Sequence, residues 1–370
     1  MPLTPREQDA LRQRCTLHVS GHAPDAPGAE LGRVADWCRE NGWLADRYGE
    51  GELIGAFEAK VASLLGKPAA AFMASGTMAQ LIAMRIWCAR AGHARFAMHP
   101  TSHLELHEDR AYASLHGLEA TLLGPRDRPT QVEDLRACTE RVAALLVELP
   151  AREIGGSLPD WDQLSSLAAL GRERGVRLHM DGARVWEARE FYAPHTLAEI
   201  CSLFDSVYVS FYKGIGALAG AMLLGPEDFI AEARTWRRRC GGTLVQLHPL
   251  VASAAMRLDA QLAKMPAYRE RALRFADALS TIDGIVVQPR PPQVNMFHVH
   301  FPAPASALVA ARDRLAASDR AWLAARVGEA SVPGWSTIEI YVGDNLLALE
   351  DAVVAPLYAR LLASARADAR

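Results

Sequence analysis

Lys213 stands in the run "SFYKGIGALAG", after the strand-like "DSVYVS" and before the apolar "AGAMLLG". A surface lysine needs no such setting. An amine at the end of a buried strand is partly desolvated, which lowers its pKa and lets it attack a carbonyl carbon to form a Schiff base. The glycines after it let backbone pass close to a bound group. Because "GALAGAMLLG" continues as strand and opens no helix, a dinucleotide-binding reading is discounted. One strand earlier, "GVRLHMDGARVWEA" delivers Asp181 to the C-terminal end of an apolar run, with Arg184 three residues on. Ligands of open α/β sheets bind at that end of the strands. Asp181 either caps the following helix or faces a pyridine nitrogen and keeps it protonated.

Two further stretches carry chemistry. In "AAAFMASGTMAQLIAMRIW" an apolar strand ends at Ser75-Gly76-Thr77 and a helix begins at once. Such a start is either an ordinary Ser/Thr cap or a cradle of free N–H groups for an anion, and the missing Gly-Lys-Ser/Thr excludes a Walker A loop. The run "HPTSHLELHEDR" places His99, His103 and His107 at i, i+4 and i+8. On a helix these would share a face, but Pro100 weakens the first turn and no fourth ligand is evident, so no metal is expected.

These positions need a frame to converge. Residues 52–66 set Leu53, Phe57, Val61 and Leu64 at helical spacing and stop at Gly66, with Pro68 beyond. The runs "AAAFMA", "VAALLVEL", "VRLHMD" and "SVYVSF" are short and apolar on both faces, as strands of a buried parallel sheet are. Helical stretches separate them, so an α/β domain with a mainly parallel sheet is expected, and Lys213 and Asp181 should meet at one sheet edge. From about residue 250 a long helix runs to "ADALS", followed by short strands such as "NMFHVHF" and "STIEIYV", giving a smaller C-terminal α+β domain. The expected division is an N-terminal segment 1–45 that contributes to the site or the small domain, a large cofactor domain 46–248 and a small domain 249–370.

The chain of 370 residues is half apolar, enough for a sizeable core. With 40 Lys+Arg against 43 Asp+Glu and no long block of one sign, it has no footprint for nucleic acid or an anionic membrane. Six scattered cysteines read as reduced thiols, and neither a signal peptide nor a transmembrane run is evident. A cytoplasmic protein acting on a small molecule is expected.

Read together, "RYGEGELIGAFEAKVASLLGKPAAAFMASGTMAQ", "HLELHEDR", "ELPAREIGG", "MDGARVWEA" and "YKGIGALAGAMLLG" resemble the threonine aldolase and β-eliminating lyase family of pyridoxal-phosphate enzymes. The resemblance runs in order over about residues 45–245. It implies the aspartate-aminotransferase-like fold (fold type I), pyridoxal 5'-phosphate as cofactor and a homodimer or homotetramer. It makes Lys213 the Schiff-base lysine, Asp181 the partner of the pyridine nitrogen, Ser75, Gly76 and Thr77 the phosphate turn, and His103 the histidine stacked on the ring. Arg184 holds the substrate carboxylate with Ser20 as helper, and Tyr48 belongs to an active-site element near the dimer interface.

The departures bear on the substrate. Where the family shows a histidine within "ENTH", this chain has "ELPA" with Ala151, followed by Arg152 and Glu153. Val245 stands where a second-subunit arginine commonly helps bind phosphate, and Glu339 falls near a second carboxylate-binding arginine. The implied activity is an aldol cleavage of a β-hydroxy-α-amino acid to glycine and an aldehyde, with threonine itself in doubt and Arg152 lining the reshaped pocket. His103 or a bound water is the candidate base. β-Elimination or dehydration is the rival reaction, and a catalytically silent binding protein on the same fold is the rival class.

Overall fold

Seven strands of small and branched apolar residues build the larger sheet: β1 (Ala69–Met73), β2 (Arg95–Met98), β3 (Glu119–Leu122), β4 (Ala144–Glu148), β5 (Arg177–Gly182), β6 (Ser206–Ser210) and β7 (Ala221–Gly225). The computed structural model describes residues 3–23 and 26–368. The strand order is β1-β7-β6-β5-β4-β2-β3. Only β7 runs against its neighbours, and every other pairing is parallel. The α/β class with a mainly parallel sheet is therefore as expected. β6 and β7 are buried along their whole length, and β4 and β5 along all but one end, which is why they read as unbroken apolar runs.

The register carries the functional consequence. Glu148 of β4 lies opposite Asp181 of β5, and Asp181 lies opposite Tyr208 of β6. Laterally paired residues project to the same face, so two carboxylates and a phenol form one row near the C-terminal ends of the central strands. The helix Gly76–Ala91 follows β1 and buries Ala79, Ile82, Ala83 and Ile86 completely. Its Trp87 stacks on Phe229 at 4.7 Å and donates to Ser206 Oγ at 2.8 Å, tying the helix to the sheet.

Two compact units divide the chain, Asp25–Glu153 with Ser157–Lys264, and Met1–Pro24 with Ile154–Gly156 and Met265–Arg370. This corrects the expected boundary at residue 249. The long helix expected from about residue 250 is two helices, His248–Leu262 and Met265–Ser280. The first belongs to the larger unit, joined there by Lys60–Asp259 at 2.6 Å and Arg257–Glu30 at 3.0 Å. The second carries Arg271 onto the Leu346 carbonyl and Asp351 of the smaller unit. Glu30 lies on the helix Pro27–Glu40, so that part of the segment 1–45 also belongs to the larger unit.

In the smaller unit four antiparallel strands lie in the order Val327–Glu329, Ser336–Tyr341, Met296–Phe301 and Val286–Gln288. Phe297, Val299 and Phe301 are fully buried, while His298 and His300 alternate with them on the other face. The expected α+β character holds here.

Candidate active site

Lys213 sits on the connection that reverses the chain between β6 and β7. Phe211 N donates to Gly220 O at 3.1 Å, Ala217 N to Phe211 O at 2.8 Å and Gly216 N to Lys213 O at 3.1 Å. Gly220 takes φ +105°, and a Cβ there would run into the Phe72 ring. Burial, then the nearby Arg184 guanidinium, push the Lys213 amine below its ordinary pKa, against the pull of Asp181 and Glu148. The amine is thereby kept partly in the nucleophilic form.

Asp181 is almost wholly buried. Its carboxylate accepts from Ala183 N at 3.1 Å and from the Gln80 amide, and it makes no ion pair among the described residues. Burial raises its pKa, although Lys213 opposes the shift. Glu148, one strand away, is raised too, by burial and then by the Asp181 charge. A buried carboxylate row with no cation bound to it is costly unless a positive N–H is brought in.

The first turn of the helix Gly76–Ala91 contains no acidic residue. Ser75 is its N-cap, with Oγ accepting from Met78 N at 3.3 Å, so the capping reading holds for that hydroxyl. A Cβ on Gly76 would fall inside the Tyr208 hydroxyl. Only glycine admits the phenol there, which explains the residue between Ser75 and Thr77. Thr77 Oγ1 donates to Glu108 Oε1 at 2.7 Å.

Lys213, Asp181, Arg184, His103 and Thr77 line one cavity, together with Gln80, Glu108, Glu148 and Tyr208. His103 is held by its backbone N–H on Glu148 Oε2 at 3.3 Å, and Arg152 by its backbone N–H on Glu148 Oε1 at 3.1 Å. Burial, then the charges of Lys213, His107, Arg152 and Arg184, push the His103 imidazole down to about 4. The Arg152 guanidinium reaches Glu153 at 3.1 Å, and His107 Nε2 meets the same carboxylate at 2.9 Å. The rings of His103 and His107 lie 5.0 Å apart.

Other expected residues lie elsewhere. His99 turns away, with Nδ1 on Thr101 Oγ1 and Nε2 on the Pro125 carbonyl, both at 2.7 Å, so the three histidines do not share a face. Tyr48 is half exposed at φ +56°, donates its N–H to Val245 O at 2.9 Å, and lies outside the cavity of Lys213 in its own chain. Ser20 belongs to the smaller unit, where its Oγ accepts from Tyr341 N at 3.3 Å. Glu339 is in that unit too, opposite His298.

Sequence reasoning missed Glu108, Glu148, Gln80 and Tyr208. Glu148 carried a readable signal, since it closes the apolar run "VAALLVE" as Asp181 closes "VRLHMD". Glu108 carried none. It is buried just before two consecutive left-handed residues, Asp109 at φ +48° and Arg110 at φ +52°.

A family model described as "Beta-eliminating lyase" matches residues 45–302. The chain is 34% identical to the aldolase vrtJ of Penicillium aethiopicum, over 55% of this chain and 53% of that protein. It is 26% identical to the low-specificity L-threonine aldolase 1 of Arabidopsis thaliana, over 65% and 69%. A solved structure from Listeria monocytogenes EGD-E, provisionally described as an L-allo-threonine aldolase, superposes with a TM-score of 0.89 at 37% identity, covering 97% of this chain and 99% of that one. The chain spans 57% and 53% of the length of two of the curated relatives it matches, from a nematode and from Penicillium.

Proposed function

The chain belongs to the beta-eliminating lyase family, and on that premise we propose that it is a pyridoxal-phosphate-dependent carbon–carbon lyase that cleaves a β-hydroxy-α-amino acid to glycine and an aldehyde. The observation that carries this reading is the placement of Lys213, Asp181 and Arg184 around one cavity at the C-terminal ends of β5 and β6.

The residues present fit the cofactor. Asp181 is a buried carboxylate without a cation, the complement of a protonated ring nitrogen. The helix starting at Gly76 offers N–H groups and its positive dipole end to a phosphate, and Lys213 offers a desolvated amine. Bound pyridoxal phosphate supplies a conjugated ring that takes up the electron pair left when a bond to the α-carbon breaks. Lys213 would hold the cofactor, Asp181 would keep its ring nitrogen protonated, and Arg184 would orient the substrate carboxylate. His103, neutral at physiological pH because of its lowered pKa, would be the residue that holds the ring's face.

Arg152, Glu153 and His107 form a hydrogen-bonded polar cluster next to Ala151; none of the three lines the cavity of Lys213, and we take the cluster as the polar wall met by a β-substituent that extends beyond that cavity. A site that hydrogen-bonds a substrate side chain rejects analogues lacking the bond by several orders of magnitude. The preferred substrate therefore carries a polar or charged β-substituent. A panel of threonine, phenylserine and polar β-hydroxy amino acids, with products identified, tests both points. Glycine plus aldehyde is expected, with kcat/KM about tenfold or more above that for threonine for the best polar member, a preference that Arg152→Ala should erase. Keto acid plus ammonia would establish the elimination reaction instead. Threonine as best substrate in both proteins would sink the polar-wall reading.

The protein is also proposed to work as a homodimer or homotetramer in the cytoplasm. Tyr48, Leu244 and Val245 are exposed apolar side chains, and the Tyr48–Val245 hydrogen bond makes two of them neighbours. Such a patch favours self-association. No helix among the described residues is long and apolar enough to cross a membrane. Sedimentation at assay concentration should give a dimer or larger, and an active monomer would contradict it.

A further inference from the structure

The proposed reaction needs a group that removes the β-hydroxyl proton, and the cavity contains one that the sequence pattern did not expose. Glu108 lines the same cavity as Lys213 and Asp181, and its side chain is only 3% exposed. One carboxyl oxygen, Oε1, accepts from Thr77 Oγ1 at 2.7 Å and lies 3.5 Å from His103 Nε2. The other, Oε2, is buried and has no hydrogen-bond partner. Leaving a buried carboxyl oxygen unsatisfied is destabilising. The backbone adds strain to reach this arrangement, because Asp109 and Arg110 both adopt left-handed conformations immediately after Glu108. A buried carboxyl group that lines the reaction cavity, with one oxygen anchored and the other without a partner, is placed to act as a proton acceptor.

We propose that Glu108 is the base that takes the β-hydroxyl proton, and that His103, which meets the same carboxylate, is a positioning residue. The proposal rests on the aldolase reading above. Glu108 Oε2 accepts the hydroxyl proton while the Cα–Cβ bond breaks. The hydroxyl oxygen forms the aldehyde C=O, and the bonding pair stays with the α-carbon, for which bound cofactor would supply the electron sink. The α-carbon then takes up a proton, giving glycine, and Glu108 releases the one it holds, so no other reactant is consumed.

The electrostatics agree with this division of labour. Glu108 is faced by Thr77 from the helix after β1, by His103, by Asp181 from β5 and by Lys213 from the loop after β6. Burial pushes its carboxyl up to about 7, with the Thr77 hydrogen bond and Lys213 opposing and Asp181 reinforcing. A base is most effective when its pKa lies near the working pH. His103, pushed down to about 4, is the weaker acceptor of the two.

The test compares wild type, Glu108→Gln and His103→Asn, using the best substrate of the panel. In wild type, kcat/KM should rise with pH through an apparent pKa near 7, because the base must be deprotonated. Glu108→Gln should lose that limb and about a hundredfold or more of aldol cleavage. It should still bind cofactor and still exchange the α-proton of glycine in heavy water, a step that involves no β-hydroxyl. In cofactor-free protein, the difference infrared spectrum of wild type minus Glu108→Gln should contain a protonated-carboxyl band that disappears near pH 7. Cleavage within threefold of wild type in Glu108→Gln, or loss of the pH limb in His103→Asn alone, would overturn the assignment. If Glu108→Gln does not fold, Thr77→Val, which removes the bond holding the pKa down, must move the limb to higher pH. An unmoved limb overturns it equally. Wild type that gives no aldehyde from any substrate would sink the aldolase reading, and the infrared titration would still decide whether Glu108 holds its proton to neutrality.

Discussion

Lys213→Ala is expected to lose at least ~10⁴-fold in turnover, because one residue supplies both the covalent attachment and the amine that leaves when substrate binds. The purified wild type should carry a visible absorbance that borohydride bleaches, with the reduced adduct on Lys213, and the variant should show neither. The environment makes this amine the reactive one. It is partly buried, with its pKa lowered, so its neutral fraction is larger than that of a surface lysine. Lys67 is also lowered by burial, but its Nζ is engaged on the Phe204 carbonyl, and it does not line the cavity. The fold should survive the change. The loop is held by backbone hydrogen bonds at Phe211, Gly216 and Ala217, none of which uses the lysine side chain. Removing a desolvated ammonium should leave the cofactor-free variant at least as stable as wild type in urea. An adduct mapped to another lysine, or retained turnover, would refute the assignment.

How far the chain could be read from its sequence depends on what each residue answers to. The strands β1, β4, β5, β6 and β7 were legible because burial on both faces demands unbroken apolar runs. β2 and β3 were not. "RFAM" is four residues long and starts with a half-buried arginine, and "EATL" is an edge strand with both ends exposed. Asp181, near the end of β5, and Lys213, just after β6, stood out because charge follows an apolar run there. Glu108 did not, since it lies in the polar run "HEDR", where no apolar strand precedes it and the left-handed turn at Asp109 and Arg110 is not signalled by a glycine. The single helix expected from about 250 to 280 failed for a related reason. Apolar periodicity continues through "QLAKMPAYRE", but Pro266 lacks the N–H an uninterrupted helix needs, so the chain breaks at Ala263–Lys264 and restarts at Met265, and the two halves belong to different units.

Asp181→Asn sets the cost of the carboxylate row against its use. In the cofactor-free protein Asp181 and Glu148 are register neighbours, both raised by burial, and the Asp181 charge raises the proton affinity of Glu148 further. An amide at position 181 keeps an acceptor for the Ala183 N–H, and the Gln80 amide can present its other end. It also removes a buried carboxyl group whose charged form burial disfavours. The variant without cofactor should therefore unfold at equal or higher urea concentration than wild type, since an uncompensated buried charge is a liability. Turnover should move the other way. If the ring nitrogen loses ~3 units of proton affinity with its charged partner, that is about 4 kcal/mol of differential stabilisation, or roughly a thousandfold in rate. The signature is this divergence, measured as kcat on the best substrate together with the urea midpoint of the cofactor-free protein. Equal losses in both would make Asp181 a structural residue. Turnover within tenfold of wild type would mean that the ring nitrogen does not depend on it.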